Sequence, residues 1–178
     1  MDNYRILLVG CSGSGKSTLA RELAEKLDLP LLHLDRIWHT TDYSDSAQKS
    51  FAQTQIDFVN AHKGFIIDGN YSGTMAVRVP TANLIIWLQV PRFVSMYRVI
   101  TRSLKNWMGI KKRPDMPAEF KEKFDREYWE FLKFVWNFKK NSMPRITAGL
   151  EHKADGCEVM VVKNKKDLDV LLKQLLGD

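Results

Sequence analysis

Little in this sequence suits a secreted, membrane-spanning or repetitive protein. Only 2 of its 178 residues are cysteine, and Cys11 and Cys157 are too few and too far apart for a disulfide framework or a cysteine metal cluster. No apolar run approaches the roughly 20 residues of a membrane span, and the N-terminus lacks the basic-then-apolar layout of a signal peptide. A reducing, cytoplasmic location is therefore expected. There is no repeat, low-complexity stretch or Gly/Pro-rich linker, so the chain is read as one domain, long enough to bury a core.

Acidic residues are in short supply in one region. From Arg92 to Arg145, Lys and Arg outnumber Asp and Glu by 14 to 6, while elsewhere the acids lead by 15 to 13, so this segment holds all of the net charge of +6. Such a patch suits nucleic acid, anionic lipid or a polyphosphate ligand. No helix-turn-helix or other nucleic-acid motif accompanies it, so nucleic acid is the less favoured partner and a membrane is not expected.

What the sequence does contain is a phosphate-binding loop. Ile6–Val9 forms a short apolar run that leads into Gly10-x-x-x-x-Gly15-Lys16-Ser17, and Leu19, Ala20, Leu23, Ala24 and Leu27 then recur at helical spacing. Strand, Gly-rich turn and helix in that order are the context the motif requires. Gly10, Gly13 and Gly15 allow backbone N–H groups to turn inward toward phosphates, with the helix N-terminus adding partial positive charge. Gly10, Ser12, Gly13, Ser14, Gly15, Lys16, Ser17 and Thr18 are thus the candidate nucleotide-binding residues. Lys16 would neutralise β- and γ-phosphates, and the Ser17 hydroxyl would ligate Mg²⁺.

Further along, short apolar runs alternate with helical patterns. Strands are predicted at Leu31–Asp35, Phe65–Asn70, Leu84–Val90 and Glu158–Val162. With the first, they predict a three-layer α/β fold around a five-stranded parallel sheet. Ligands gather at the carboxyl ends of such strands. Asp35 and Asp68, each tipping a strand, are therefore candidates, Asp68 for the water shell of the metal and Asp35 for an acceptor. Arg36, Asn70, Tyr71 and Arg78 lie close by in sequence and are candidate acceptor-binding residues, and Trp38 and His39 could line the same pocket. Arg98, Arg102 and Lys105 share a helix face. They lead into a Gly-, Pro- and cation-rich stretch read as a lid over about 106–125. The aromatic stripe from Phe120 to Phe138 is read as a core helix face. Asn164-Lys-Lys-Asp167 matches a guanine-reading motif, but with no Asp-x-x-Gly partner it is read as a helix cap.

These blocks resemble the adenylate-kinase-like phosphate-loop kinases, and more narrowly the bacterial DNA topology modulation proteins. The matching residues are Gly10–Thr18, Leu32–Asp35, Ile66–Tyr71, Arg78–Pro80, Arg113–Met116 and Phe134–Phe138. The resemblance implies an ATP-binding fold with a closing lid, and implies that Arg98, Arg102 and Arg145 are its phosphate-clamping arginines. Adenylate kinases continue Asp-Gly with Phe-Pro-Arg; this chain has Asn70-Tyr71-Ser72, which argues against AMP as acceptor. An alcohol acceptor, unlike a phosphate, benefits from a carboxylate that takes its proton. The function expected is ATP-dependent phosphoryl transfer to a small molecule or nucleotide, with Lys16, Asp35, Arg98, Arg102 and Arg145 as catalytic candidates. The alternative is an ATP-binding protein that associates with DNA. The oligomeric state is left open.

Overall fold

A central strand with continuous apolar character, β1 (Arg5–Gly10), is flanked on both sides in the computed structural model, which describes residues 4–110, 114–116 and 124–177. The other strands are β2 (Leu31–His33), β3 (Phe65–Asp68), β4 (Leu84–Leu88) and β5 (Glu158–Val162). They form one sheet of order β2-β3-β1-β4-β5, and every pairing is parallel. The chain builds one side of β1 first and the other side afterwards. The carboxyl end of β1 therefore lies where the strand order reverses, and there a crevice opens.

Helices cover both faces. α1 (Lys16–Leu27) and α8 (Lys165–Leu176) pack on one, while α3 (Asp45–Ala61), α4 (Met75–Arg78), α5 (Arg92–Trp107), α6 (Arg126–Asn141) and α7 (Met143–Leu150) contribute to the other. The period-2 geometry of strands sorts the apolar residues. Ile6 and Leu8 of β1 join Leu19, Leu23, Leu171 and Leu175 in one core. Leu7 and Val9 join Phe51, Val99, Leu132, Val135 and Ile146 in the other. Two separate cores, one per face, make the three-layer arrangement.

Several element ends differ from the sequence reading. β2 stops at His33, and Leu34 opens a short helix, α2 (Leu34–Trp38), so Asp35 stands in the first helical turn rather than at a strand tip. Leu34 is wholly buried, and that burial turns the chain inward at this point. Pro144 lies in the first turn of α7, where its missing N–H costs nothing. Asn164 does cap α8: its side chain accepts from the Asp167 N–H at 3.1 Å, while the Asp167 carboxylate accepts from the Lys163 N–H at 2.8 Å. Both side chains of the apparent guanine motif are thus engaged in holding a helix start. Half of the expected lid, residues 111–113 and 117–123, lies outside the described residues. Among the described residues no helix is long and apolar enough to cross a membrane.

Candidate active site

The loop between β1 and α1 leans directly on two neighbours, and glycine is what permits it. A Cβ on Gly10, at φ +146°, would stand 2.4 Å from the Leu88 carbonyl oxygen, and one on Gly13, at φ +78°, would stand 2.4 Å from that of Ser95. The backbone is thereby pressed against β4 and α5 at once. Gly10 is further fixed by Asn70: the Asn70 amide donates to the Gly10 carbonyl at 2.8 Å and accepts from its N–H at 2.9 Å. Lys16 folds back over the loop, donating to the Cys11 carbonyl at 2.9 Å.

This loop floors a cleft of about 1000 Å³. Ser12, Gly13, Gly15, Lys16, Ser17 and Thr18 line it, whereas Gly10 and Ser14 lie beneath as its support. Arg98, Arg102 and Arg145, expected as phosphate clamps, all face the cleft, together with Arg21 and Lys105. The Arg98 guanidinium reaches the loop itself, 3.3 Å from the Ser14 carbonyl oxygen. Three different helices thus aim cations at one volume whose floor presents backbone N–H groups. A polyphosphate fits that electrostatic field, and the basic surplus of the segment is in part accounted for by it.

Of the acceptor candidates, Asp35, Asn70 and Tyr71 line the cleft, as do Trp38 and His39. The Tyr71 hydroxyl donates to Asp35 Oδ1 at 2.8 Å. Burial, and then the Asp35 charge, raise the Tyr71 phenol well above its ordinary range, so it stays a donor. The Tyr71 ring is set by Phe51 and Trp38, with ring centroids 4.9 and 6.0 Å away. Its backbone has φ +25°, a region L-residues seldom occupy and which costs on the order of 1–3 kcal/mol.

Arg36 and Arg78 do not line the cleft with the other acceptor candidates. Arg36 is exposed on α2 and outside the cleft. Arg78 is 1% exposed. Its guanidinium donates to Gln55 Oε1 and Thr74 Oγ1, both at 2.9 Å, and to the carbonyls of Gly69 and Asn70. A planar fork with five donors can gather several acceptors that a loop has no other way to satisfy. Arg78 therefore shapes the turn that presents Asn70 and Tyr71, and sequence position alone could not separate that role from a phosphate clamp.

Asp68 lies at the end of β3, 5% exposed and beneath the cleft surface. Its Oδ2 is 2.9 Å from His33 Nδ1, opposite it in the β2–β3 register. Oδ1 is buried without a hydrogen-bond partner. An orphaned carboxylate oxygen beside a phosphate loop is costly unless something else satisfies it, and the shell of a hydrated divalent cation has the right chemistry.

The aromatic stripe of α6 has two roles rather than one. Leu132, Val135 and Phe138 enter the core, while Phe131, Phe134 and Phe138 also line the cleft. A 3.6-residue period marks an apolar face but not whether a ligand shares it. Both cysteines are buried. Burial raises the Cys11 thiol, with Lys16 partly opposing, and burial raises Cys157 likewise. Neither should be alkylated by iodoacetamide at neutral pH on the timescale that fully labels urea-unfolded protein, as read by mass spectrometry.

A glycine-cradled loop at the sheet's switch point, ringed by cations, sits on a five-stranded parallel sheet with helices on both faces. Residues 6–71 match a protein family described as an AAA domain. Among solved structures, the chain is similar to shikimate kinase from Bacteroides thetaiotaomicron, at 18% identity and a TM-score of 0.59, covering 98% of this chain and 99% of that one. Shikimate kinase from Acinetobacter baumannii, determined in complex with shikimate, is 14% identical with a TM-score of 0.57 over 98% and 94%. A gluconokinase from Sinorhizobium meliloti 1021 is also 14% identical, with a TM-score of 0.52 over 98% and 90%. No curated protein matches the chain. At these identities the likeness establishes the fold: a five-stranded parallel sheet with flanking helices, as in shikimate kinase.

Proposed function

We propose that this protein is an ATP-dependent kinase that phosphorylates a hydroxyl group of a small molecule or nucleotide. The observation that carries the reading is the Tyr71–Asp35 hydrogen bond at the mouth of the phosphate loop. It occupies one carboxylate oxygen with a donor that stays protonated and leaves Oδ2 to face an acceptor hydroxyl. In the transfer, the acceptor oxygen forms a bond to the γ-phosphorus and the bond to the ADP oxygen breaks. The hydroxyl proton passes to Asp35.

The chain's own residues supply the rest. Loop N–H groups and Lys16 hold the donor phosphates, and Arg98, Arg102 and Arg145 surround the transferring group as charge redistributes. Mg²⁺, when bound, would neutralise phosphate charge, held by Ser17 and, through water, by Asp68. Trp38, Tyr71 and Phe131 give the acceptor flat apolar walls. The narrower resemblance to the DNA topology modulation proteins belongs to this reading and rests on the sequence blocks Leu32–Asp35, Ile66–Tyr71, Arg78–Pro80, Arg113–Met116 and Phe134–Phe138.

A coupled ADP-release screen over polyols, sugar acids and nucleosides tests the proposal. With an acceptor in hand, Asp35→Asn should reduce kcat by about 10²- to 10³-fold while changing KM little, since a general base acts in the transition state. Unchanged turnover in Asp35→Asn would remove the base role. ADP release by no acceptor, with DNA binding that persists in Lys16→Ala and falls steeply with salt, would favour the DNA-associated alternative.

A further inference from the structure

We propose that α5 is the seam of a homodimer, with a second copy of this chain covering Phe93, Tyr97, Ile100, Leu104 and Trp107. These residues follow one another at intervals of four, three, four and three. That is the spacing of a heptad seam, the pattern by which one helix packs along another. All five are exposed, at 64% for Phe93, 70% for Tyr97 and 65% for Trp107. The fully buried positions of α5 are Ser95, Val99 and Ser103, and Met96 packs partly buried against the core. An ordinary surface helix buries its large apolar side chains and exposes its polar ones. In α5 most of the large apolar side chains lie outward instead.

The charge pattern selects the occupant. The five seam positions are uncharged, Arg92 at their edge stacks over Phe93 and Trp136, and α5 contains no acidic residue at all. The cations Arg98, Arg102 and Lys105 lie off the seam, where they line the cleft. Nucleic acid would need cations on the docking face itself. Two copies of a chain with net charge +6 repel one another unless they meet through an uncharged surface. A two-fold pair uses one patch twice, and an apolar patch without charge is self-complementary.

Area and rigidity agree. Rings of this kind bury 150–250 Å² each, so the three exposed aromatics present roughly 400 Å². With Ile100, Leu104, Met108 and Ile110 the face approaches the ~800 Å² per partner of a stable interface, above the ~300–600 Å² of the largest patch on a typical monomer. The seam is also held ready. Phe93 packs edge-on to Trp136 of α6 with centroids 5.2 Å apart, and the Arg92 guanidinium sits 4.3 Å over the same indole. Trp107 packs against Phe124 at 6.0 Å. Rings already fixed lose little freedom on association. None of the five seam residues lines the cleft, so this inference does not depend on the kinase reading.

Light scattering and sedimentation of the full chain should give twice the 20.6 kDa chain mass at micromolar concentration, and Tyr97→Glu with Leu104→Glu should give a monomer with an unchanged circular dichroism spectrum. Ile100→Cys, in a chain whose own thiols are buried, should be joined to its partner by a short bismaleimide, whereas Lys49→Cys on α3 should not; this holds even if the glutamate variant fails to fold. A wild type that stays monomeric at 100 μM, or a dimer indifferent to both glutamates, overturns the proposal. So does a monomer that instead pellets with anionic phospholipid vesicles or shifts duplex DNA through this face.

Discussion

Lys16→Ala should lower kcat for phosphoryl transfer by about 10³-fold or more, measured by coupled ADP release on an acceptor identified by the screen. The nearest calibration is a single arginine that neutralises the transferring phosphoryl group, which is worth 10³–10⁵ in kcat. Lys16 is placed to do comparable work: it is anchored by the Cys11 carbonyl at 2.9 Å, directly over the loop, and it lines the cleft. Arg98, Arg102 and Arg145 cannot substitute, because each comes from a helix outside the loop and none starts from its floor. The side chain contributes no core packing, so thermal stability should stay within about 0.5 kcal/mol of the wild type. Loss of turnover with a preserved melting curve is thus the expected pair of results. An alanine variant that keeps more than a tenth of wild-type kcat would show that the loop is not the donor site.

The second large effect is on stability. Arg78→Met should destabilise the fold by about 3–5 kcal/mol, the range found when one member of a buried polar cluster is removed. Methionine fills much of the volume but donates nothing. It would leave Gln55 Oε1 and the carbonyls of Gly69 and Asn70 without their guanidinium donor, while Thr74 Oγ1 keeps its bonds to Gln55 Nε2 and the Tyr71 carbonyl. Burial already lowers the Arg78 pKa to about 10, with the neighbouring Tyr71 opposing, and the group remains charged at neutral pH. For a domain of this size the melting temperature should fall by roughly 6–20 °C. Arg78→Lys should recover only part of this, since an ammonium is a point donor and not a fork. If Arg78→Met melts within 2 °C of the wild type, the turn at Asn70–Tyr71 is held by something else. Because that turn carries Tyr71, the same variant links a stability effect to the acceptor side of the cleft.

Local chemistry makes several features legible in the sequence alone. The phosphate loop is written in contiguous residues, because its glycines, lysine and serine act within one turn of chain. The apolar run Leu84–Leu88 and the Asn164–Asp167 cap are equally local, one through burial on both faces and the other through a side chain that reaches three residues ahead. Asp35 is legible as a candidate for the same reason, although its setting is not: where β2 gives way to α2 depends on Leu34 entering a core assembled from distant segments. Arg78 and Asn70 show the complementary difficulty. Both are polar, both follow the β3 strand, and only the fold separates a guanidinium that braces a turn from an amide that pins Gly10 60 residues earlier. The outward heptad of α5 is hidden for a similar reason, since periodicity reveals an apolar face without revealing whether the protein itself covers it.

The sequence by itself determined the parallel α/β alternation, the loop that can cradle phosphates and the concentration of cations in one segment, all of them properties of neighbours in the chain. Tertiary structure alone decided which cations meet over that loop, which arginine is withdrawn into the interior, and that Tyr71 touches Asp35 across 36 residues. Contacts of that kind depend on the register and packing of a whole sheet, and a polar side chain carries no local mark of the partner it will find.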